Sequence, residues 1–205
     1  GSSDCGPASA AMLLTYYGIT AGPESVRKAI TRSKKGTFIG QLGLFLMQKG
    51  FEVEIVGLNP AFFTKQSRKF SGNRLIQYLE KVREHQKSAK NKKALLYFVK
   101  FLQAGGKMRN EIPTEQMIRK ELKEGRPVGA LLTSNFLNEK KPKMNYHFNI
   151  ITGIDRRHIY VNDPAWPPFG GRKKYSTNEY LYAIHVAVRG SLLLVRPKKG
   201  RASHA

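Results

Sequence analysis

The chain has 205 residues, an apolar share of 40% and a formal net charge of +22 at pH 7. That length suits one domain, or two halves around a shared cleft, and that apolar share excludes global disorder. The lone cysteine excludes an internal disulfide and a cysteine-clustered zinc site, no apolar run can span a bilayer, and the charge predicts attraction to polyanions or acidic partners.

The abrupt Gly1-Ser2-Ser3 start shows no signal peptide. It reads as a cut end or an expression remnant, with room for a missing leader or preceding domain, and the compartment is left open. From Pro7 to Tyr17 the composition and apolar spacing predict a helix that Gly18 closes. Gly22-Pro23-Glu24-Ser25 starts a second helix, with proline in its first turn. Ile39 to Met47 reads as a third, and Phe51 to Val56 alternates apolar and acidic side chains as a half-buried strand does.

The stretch from about Pro60 to Arg109 is rich in cations, and only Glu80 and Glu84 oppose them. Leu75, Ile76, Leu79 and Val82 recur there at helical spacing. The reading is a basic amphipathic helix, a break from Ser88 to Lys93, and a second helix from Ala94 to Leu102. Lys65, Arg68, Lys69, Arg74 and Lys81 are its candidate anion-binding residues, weighed against a solvated lysine-rich face. Gly105-Gly106 marks a loop, and Pro113 to Leu122 a further helix with Thr114 as its cap.

Beyond Gly125 the chain turns to strands: Val128 to Leu132, Phe148 to Ile154, Ile159 to Val161, Arg172 to Tyr175, and Val186 to Val195. Thr177 to Tyr182 reads as a short helix. The whole predicts an α+β protein, single-domain over 1–197, with a helical part over about 1–125 that holds a basic insertion over about 60–109. The sheet part covers 126–197 and a basic tail 198–205.

Three residues have the types that nucleophilic catalysis needs: an activated nucleophile, a base, and a group that orients the base. Cys5 sits near the start of the first helix, where unpaired N–H groups and the positive dipole end favour a thiolate. His147 opens an apolar strand, and Asp163 ends the next run ahead of Pro164. If those runs pair through the Asp155-Arg156-Arg157 turn, with about one residue of bulge, both side chains fall at one end of the ribbon. The plain alternatives are a buried thiol, a strand histidine bonded to a carbonyl, and a turn-forming aspartate, with Asn162 competing as orienter. No His-Glu-x-x-His or Cys-x-x-Cys spacing is present, so neither metal nor cofactor is expected.

The motifs Asp4-Cys5-Gly6-Pro7-Ala8, Met12 to Gly18, Glu124 to Val128, Tyr146 to Asp155, Ile159 to Pro164 and Ser176 to Tyr180 span nearly the whole chain. In that order they resemble the papain-like cysteine peptidases of the bacteriocin-processing, double-glycine leader type and their stand-alone bacterial relatives. The resemblance implies a papain-like fold, with the nucleophile on an N-terminal helical subdomain, His and Asp on a C-terminal antiparallel sheet, and a cleft between. It implies Cys5 as nucleophile, His147 as base and Asp163 as orienting acid, acting on a peptide or protein substrate after small residues such as glycine. Asp4, Gly6, Tyr146 and Trp166 would border the cleft. The family's oxyanion glutamine precedes the cysteine by a few residues, before this sequence begins: either it lies in a missing segment, or another donor serves, or the member is catalytically weak, and the Cys5 backbone N–H is the remaining donor. The competing readings are an acyltransferase, amidase or deamidase on the same scaffold, and a non-catalytic module that binds anions through its basic face. The oligomeric state is left open.

Overall fold

The computed structural model describes residues 4–30, 36–138, 141, 144–165 and 170–198. The expected cleft residue Trp166, its neighbours 167–169 and the tail from 199 onward lie outside them. The front half runs α1 (Cys5–Tyr16), α2 (Pro23–Ala29), α3 (Ile39–Gln48), β1 (Phe51–Val56), α4 (Gly72–His85), α5 (Ala89–Gln103), β2 (Lys107–Arg109) and α6 (Glu115–Lys123). The back half runs β3 (Val128–Leu132), α7 (Ser134–Leu137), β4 (His147–Ile154), β5 (His158–Asp163), β6 (Gly171–Ser176), α8 (Thr177–His185) and β7 (Ser191–Pro197).

The first helix starts at Cys5, two residues earlier than the composition suggests. Pro7 lies within its first turn, where a missing N–H costs nothing, and the Asp4 carbonyl accepts the Ala8 N–H at 3.0 Å. Gly18, at φ 75°, ends it.

Among the described residues all the strands form one sheet of seven, in the order β2-β1-β7-β3-β4-β5-β6. This corrects the expectation of a sheet confined to the C-terminal half. The front-half strand β1 pairs antiparallel with β7 and parallel with β2, so the sheet is mixed. The three-residue β2 is too short to show a period in sequence. The basic pair of helices also divides differently: α5 begins at Ala89, so Lys90, Lys92 and Lys93 are helical, and Ser88 caps them by accepting the Asn91 N–H at 3.3 Å. The last strand begins at Ser191 rather than Val186. Gly190 is pressed so closely on the end of α8 that a Cβ there would sit 1.7 Å from the Ile184 carbonyl oxygen, so 186–190 is a tight turn.

The central strands are apolar on both faces because both are covered. Leu131, Phe148, Ile150, Leu193 and Val195 join Leu13, Leu14, Leu42 and Leu46 of α1 and α3 in one core. Val128, Ala130, Leu132, Ile151, Val161, Leu192 and Leu194 join Ile118 of α6 and Tyr180 and Ile184 of α8 in the other. The basic insertion has its own small core of Phe62, Phe63, Leu75, Leu79, Leu95 and Val99. It docks where Gly40 of α3 lies against α5: a Cβ at Gly40 would be 2.9 Å from the Tyr97 backbone.

A buried carboxylate clamps these layers. Glu121 of α6, with its side chain 2% exposed, accepts from Arg126 Nε at 2.6 Å and from Arg196 Nη2 of β7 at 2.6 Å. Arg196 also reaches Glu54 of β1 at 3.1 Å. Burial opposes the Glu121 charge, but hydrogen bonds from Arg196 and Arg126 outweigh it and hold its pKa below the ordinary 4.5. A depressed carboxyl stabilises the fold above its unfolded pKa, and that stability is lost as pH falls through the folded value. Glu121→Gln is therefore expected to cost roughly 1–3 kcal/mol at pH 7. Thermal melts of the two proteins should converge as the pH drops below about 4, and a gap that stays constant with pH would contradict the account.

Candidate active site

Register brings two of the three expected residues together. Ile150 of β4 faces Asn162 of β5, and a bulge between Ile151 and Gly153 absorbs the odd residue. Continuing that register sets Asp163 opposite Asn149, with His147 the next residue on the same face of β4. Diagonal neighbours of this kind lie within side-chain reach. His147 Nε2 meets Asp163 Oδ1 at 2.8 Å, and the two side chains are only 14% and 2% exposed.

The aspartate is held as well as buried. Its Oδ1 also accepts the Ala165 N–H at 2.9 Å, closing a side-chain turn over Pro164. Asp163 is thus both turn former and partner of the ring. Tyr175 and Tyr180 stand near enough that, after burial, the Asp163 charge adds to the rise of both phenols, Tyr175 up to about 12.

Cys5 is the first residue of α1, half buried and free of any disulfide. Its side chain lies close enough to the His147 ring to act on that ring's charge. Since Nε2 is engaged by Asp163, Nδ1 is the ring nitrogen left for sulfur. Burial works against charge on His147, but the hydrogen bond to Asp163 and then the interaction with Cys5, followed by their charges, push its pKa up to about 9. At neutral pH the ring therefore carries the second proton, and a charged imidazole lies between a carboxylate and the sulfur.

Two tyrosines at the far end of α1 tie the helix to β7 and to the turn between α6 and β3. Tyr17 donates to the Val195 carbonyl at 2.8 Å, and Tyr16 to the Gly125 carbonyl at 2.5 Å. At the near end Gly6 is buried against α3 and the residues leading into it rather than open to solvent: a Cβ would sit 3.0 Å from Thr37 Cβ and 3.4 Å from Leu42 Cδ1. Asp4 is half buried at the helix cap. Tyr146, also half buried, packs with Cys5 against the same core.

Several residues around the site escape sequence reasoning. Asn145 Oδ1 accepts from Thr133 Oγ1 at 2.9 Å and from the Asn135 N–H at 3.0 Å, while its amide donates to Ser134 Oγ at 2.7 Å. These bonds pin the segment that leads into His147. Buried Asn149, two residues on, accepts the Tyr180 hydroxyl. A lone asparagine carries no pattern in sequence, although its place just before Tyr146-His147 is a usable signal.

The candidate anion-binding residues are spread out. Lys65 and Arg68 line a pocket of about 640 Å³ with Leu58, Phe63, Ile112 and Ile184, and none of Cys5, His147 or Asp163 lines it. Arg74 stacks 3.9 Å over the Phe70 ring, and Lys69 and Lys81 are exposed. Among the described residues no group of three His, Cys, Asp or Glu could hold a metal ion, and no helix is long and apolar enough to cross a membrane.

A family profile described as the Peptidase_C39 like family matches residues 3–185. No curated protein matches the chain significantly. Among solved structures, the peptidase domain of Streptococcus ComA, a bi-functional ABC transporter involved in a quorum sensing pathway, is similar at 13% identity, covering 97% of this chain and 94% of that one, with a TM-score of 0.50. A Bacillus anthracis protein described as a C39-like peptidase is similar at 14% identity, covering 97% and 91%, with a TM-score of 0.55. At such identities the likeness speaks for the fold, a mixed α+β protein with a seven-stranded sheet.

Proposed function

We propose, for a chain that belongs to the Peptidase_C39 like family and is a cysteine peptidase, that Cys5, His147 and Asp163 are its catalytic triad. The support is the 2.8 Å hydrogen bond between the Asp163 carboxylate and the His147 ring, with the Cys5 side chain close enough to that ring to act on its charge. The thiol passes its proton to His147 Nδ1, and the thiolate–imidazolium pair so formed is the reacting form. Sulfur attacks the scissile carbonyl carbon, and the electron pair moves to oxygen. The Cys5 backbone N–H, in the first helical turn and without an intrahelical partner, faces that developing charge. As the intermediate collapses, the carbon–nitrogen bond breaks and the leaving amine takes the proton from Nδ1. Water then gives a proton to His147 and adds to the acyl-enzyme, and the proton returns to the departing sulfur. Asp163 keeps the ring in its tautomer and balances its charge throughout.

The bonds cleaved lie after small residues such as glycine, as the resemblance to the double-glycine leader peptidases implies. The test is incubation with peptides that differ only in glycine, alanine or leucine before the scissile bond, with products read by mass spectrometry. Free carboxyl products, formed fastest after glycine, are expected. A product that always incorporates an added amine, with none hydrolysed, would instead mark an acyltransferase.

A further inference from the structure

Tyr146, the residue before His147, has a cation from each of two distant segments at its ring. Lys90 Nζ of α5 lies 4.9 Å from the ring centroid, and Arg189 Cζ, in the turn before β7, lies 6.0 Å from it. Arg189 is half buried. Its Nη2 donates to the neutral amide oxygen of Asn91 at 2.5 Å, and among the described residues no carboxylate offsets its charge. The contrast with the other sheltered arginines is direct: Arg126 and Arg196 are both met by Glu121. Burial pulls the Arg189 pKa down, as expected for a cation short of an anion.

Position links this pair to the chemistry. Leu132 of β3 faces His147, and its neighbour Leu131 faces Ser191, so β4 and β7 start at the same end of the sheet on either side of β3. Two strand spacings separate them by roughly 10 Å, which an extended peptide covers in about three residues. The net charge of +22 draws acidic chains to the protein at long range. A guanidinium and an ammonium beside one aromatic ring suit a carboxylate, which can take two hydrogen bonds from the fork of the arginine.

We propose that Arg189, with Lys90 beside it, forms a carboxylate-binding subsite, and that the substrate carries an aspartate or glutamate within about three residues of the scissile bond. This rests on the peptidase reading above and names its substrate class.

The experiment places aspartate, alanine or lysine in turn at each of the four positions on either side of the bond. It compares kcat/KM within each protein, and also the binding of labelled peptides to Cys5→Ala by fluorescence anisotropy. At one position the aspartate peptide is expected to be favoured over alanine by roughly tenfold in both measurements. Arg189→Gln should flatten that ratio, and Arg189→Glu should turn the preference toward lysine, which simple loss of packing would not do. Should both variants fail to fold by circular dichroism, the peptide series and its weakening with salt decide the matter on the unaltered protein. Equal cleavage and equal binding of all three peptides at every position overturns the subsite and leaves the peptidase standing. Preferential binding of the aspartate peptide with no cleavage of any peptide supports the subsite and counts against the peptidase reading.

Discussion

Cys5→Ala is expected to lower kcat for peptide cleavage by roughly 10⁴-fold or more, because in the proposed mechanism the step that forms the acyl-enzyme loses its nucleophile. The fold should survive the change. Cys5 is half buried at the end of a helix, its sulfur packs at the edge of the core, and alanine is a good helix former. The loss of stability should stay within about 1 kcal/mol, seen as a small shift in the thermal midpoint. Alkylation gives an independent reading. Iodoacetamide should label the protein once, at its lone cysteine Cys5, and the His147 ring beside it should speed the reaction. His147→Ala should slow that labelling. Cleavage retained by folded Cys5→Ala, or labelling indifferent to His147, would remove the sulfur from the mechanism.

Asp163→Asn should act through the ring. Asparagine keeps the shape and an oxygen to accept the Ala165 N–H, but it removes the charge that holds the His147 proton. The expected loss in kcat is roughly 10² to 10⁴-fold. The pH profile separates this role from a merely structural one. In the proposed mechanism the imidazolium is the acid for the leaving amine, so activity of the unaltered protein should fall as pH rises through about 9. In the variant that limb should move to lower pH, toward the ordinary 6.5. The same raised pKa bears on folding. The stability that the charged ring contributes is fully present below 6.5 and is lost as pH rises through about 9. An alkaline limb that stays in place in Asp163→Asn would show that the carboxylate does not set the charge on the ring.

Both expectations draw on residues whose types and neighbours are legible in the chain itself. Asp4-Cys5-Gly6-Pro7 marks a helix start because proline tolerates the first turn and little else within a helix. The apolar runs after His147 and before Asp163 mark strands because side chains alternate with a period of two. The Asp155-Arg156-Arg157 turn between them makes pairing the simplest arrangement, and a bulge of one residue completes it. Local signals of this kind survive folding because they concern contacts made within a few residues.

Other features depend on pairs that no local window contains. The three-residue β2 carries no period of its own and exists because it can add to the edge of β1. The partner of β1 is β7, from the other end of the chain, so composition by halves could not reveal a mixed sheet. The Asn145 network needs Thr133, Ser134 and Asn135 brought round by the loop before β4. Lys90 and Arg189 are unremarkable cations in a chain rich in them until folding sets both at the ring beside His147.

The amino-acid sequence alone determines the helices and most strands, the family, and the chemical types available for catalysis, because periodicity, caps and motif order are properties of neighbours along the chain. Only the tertiary structure decides the order of strands, the meeting of the Cys5 side chain with the His147 ring and the charge that ring holds. Those depend on distance, burial and register between segments more than a hundred residues apart, and through-space energies of that kind have no signature in any one segment.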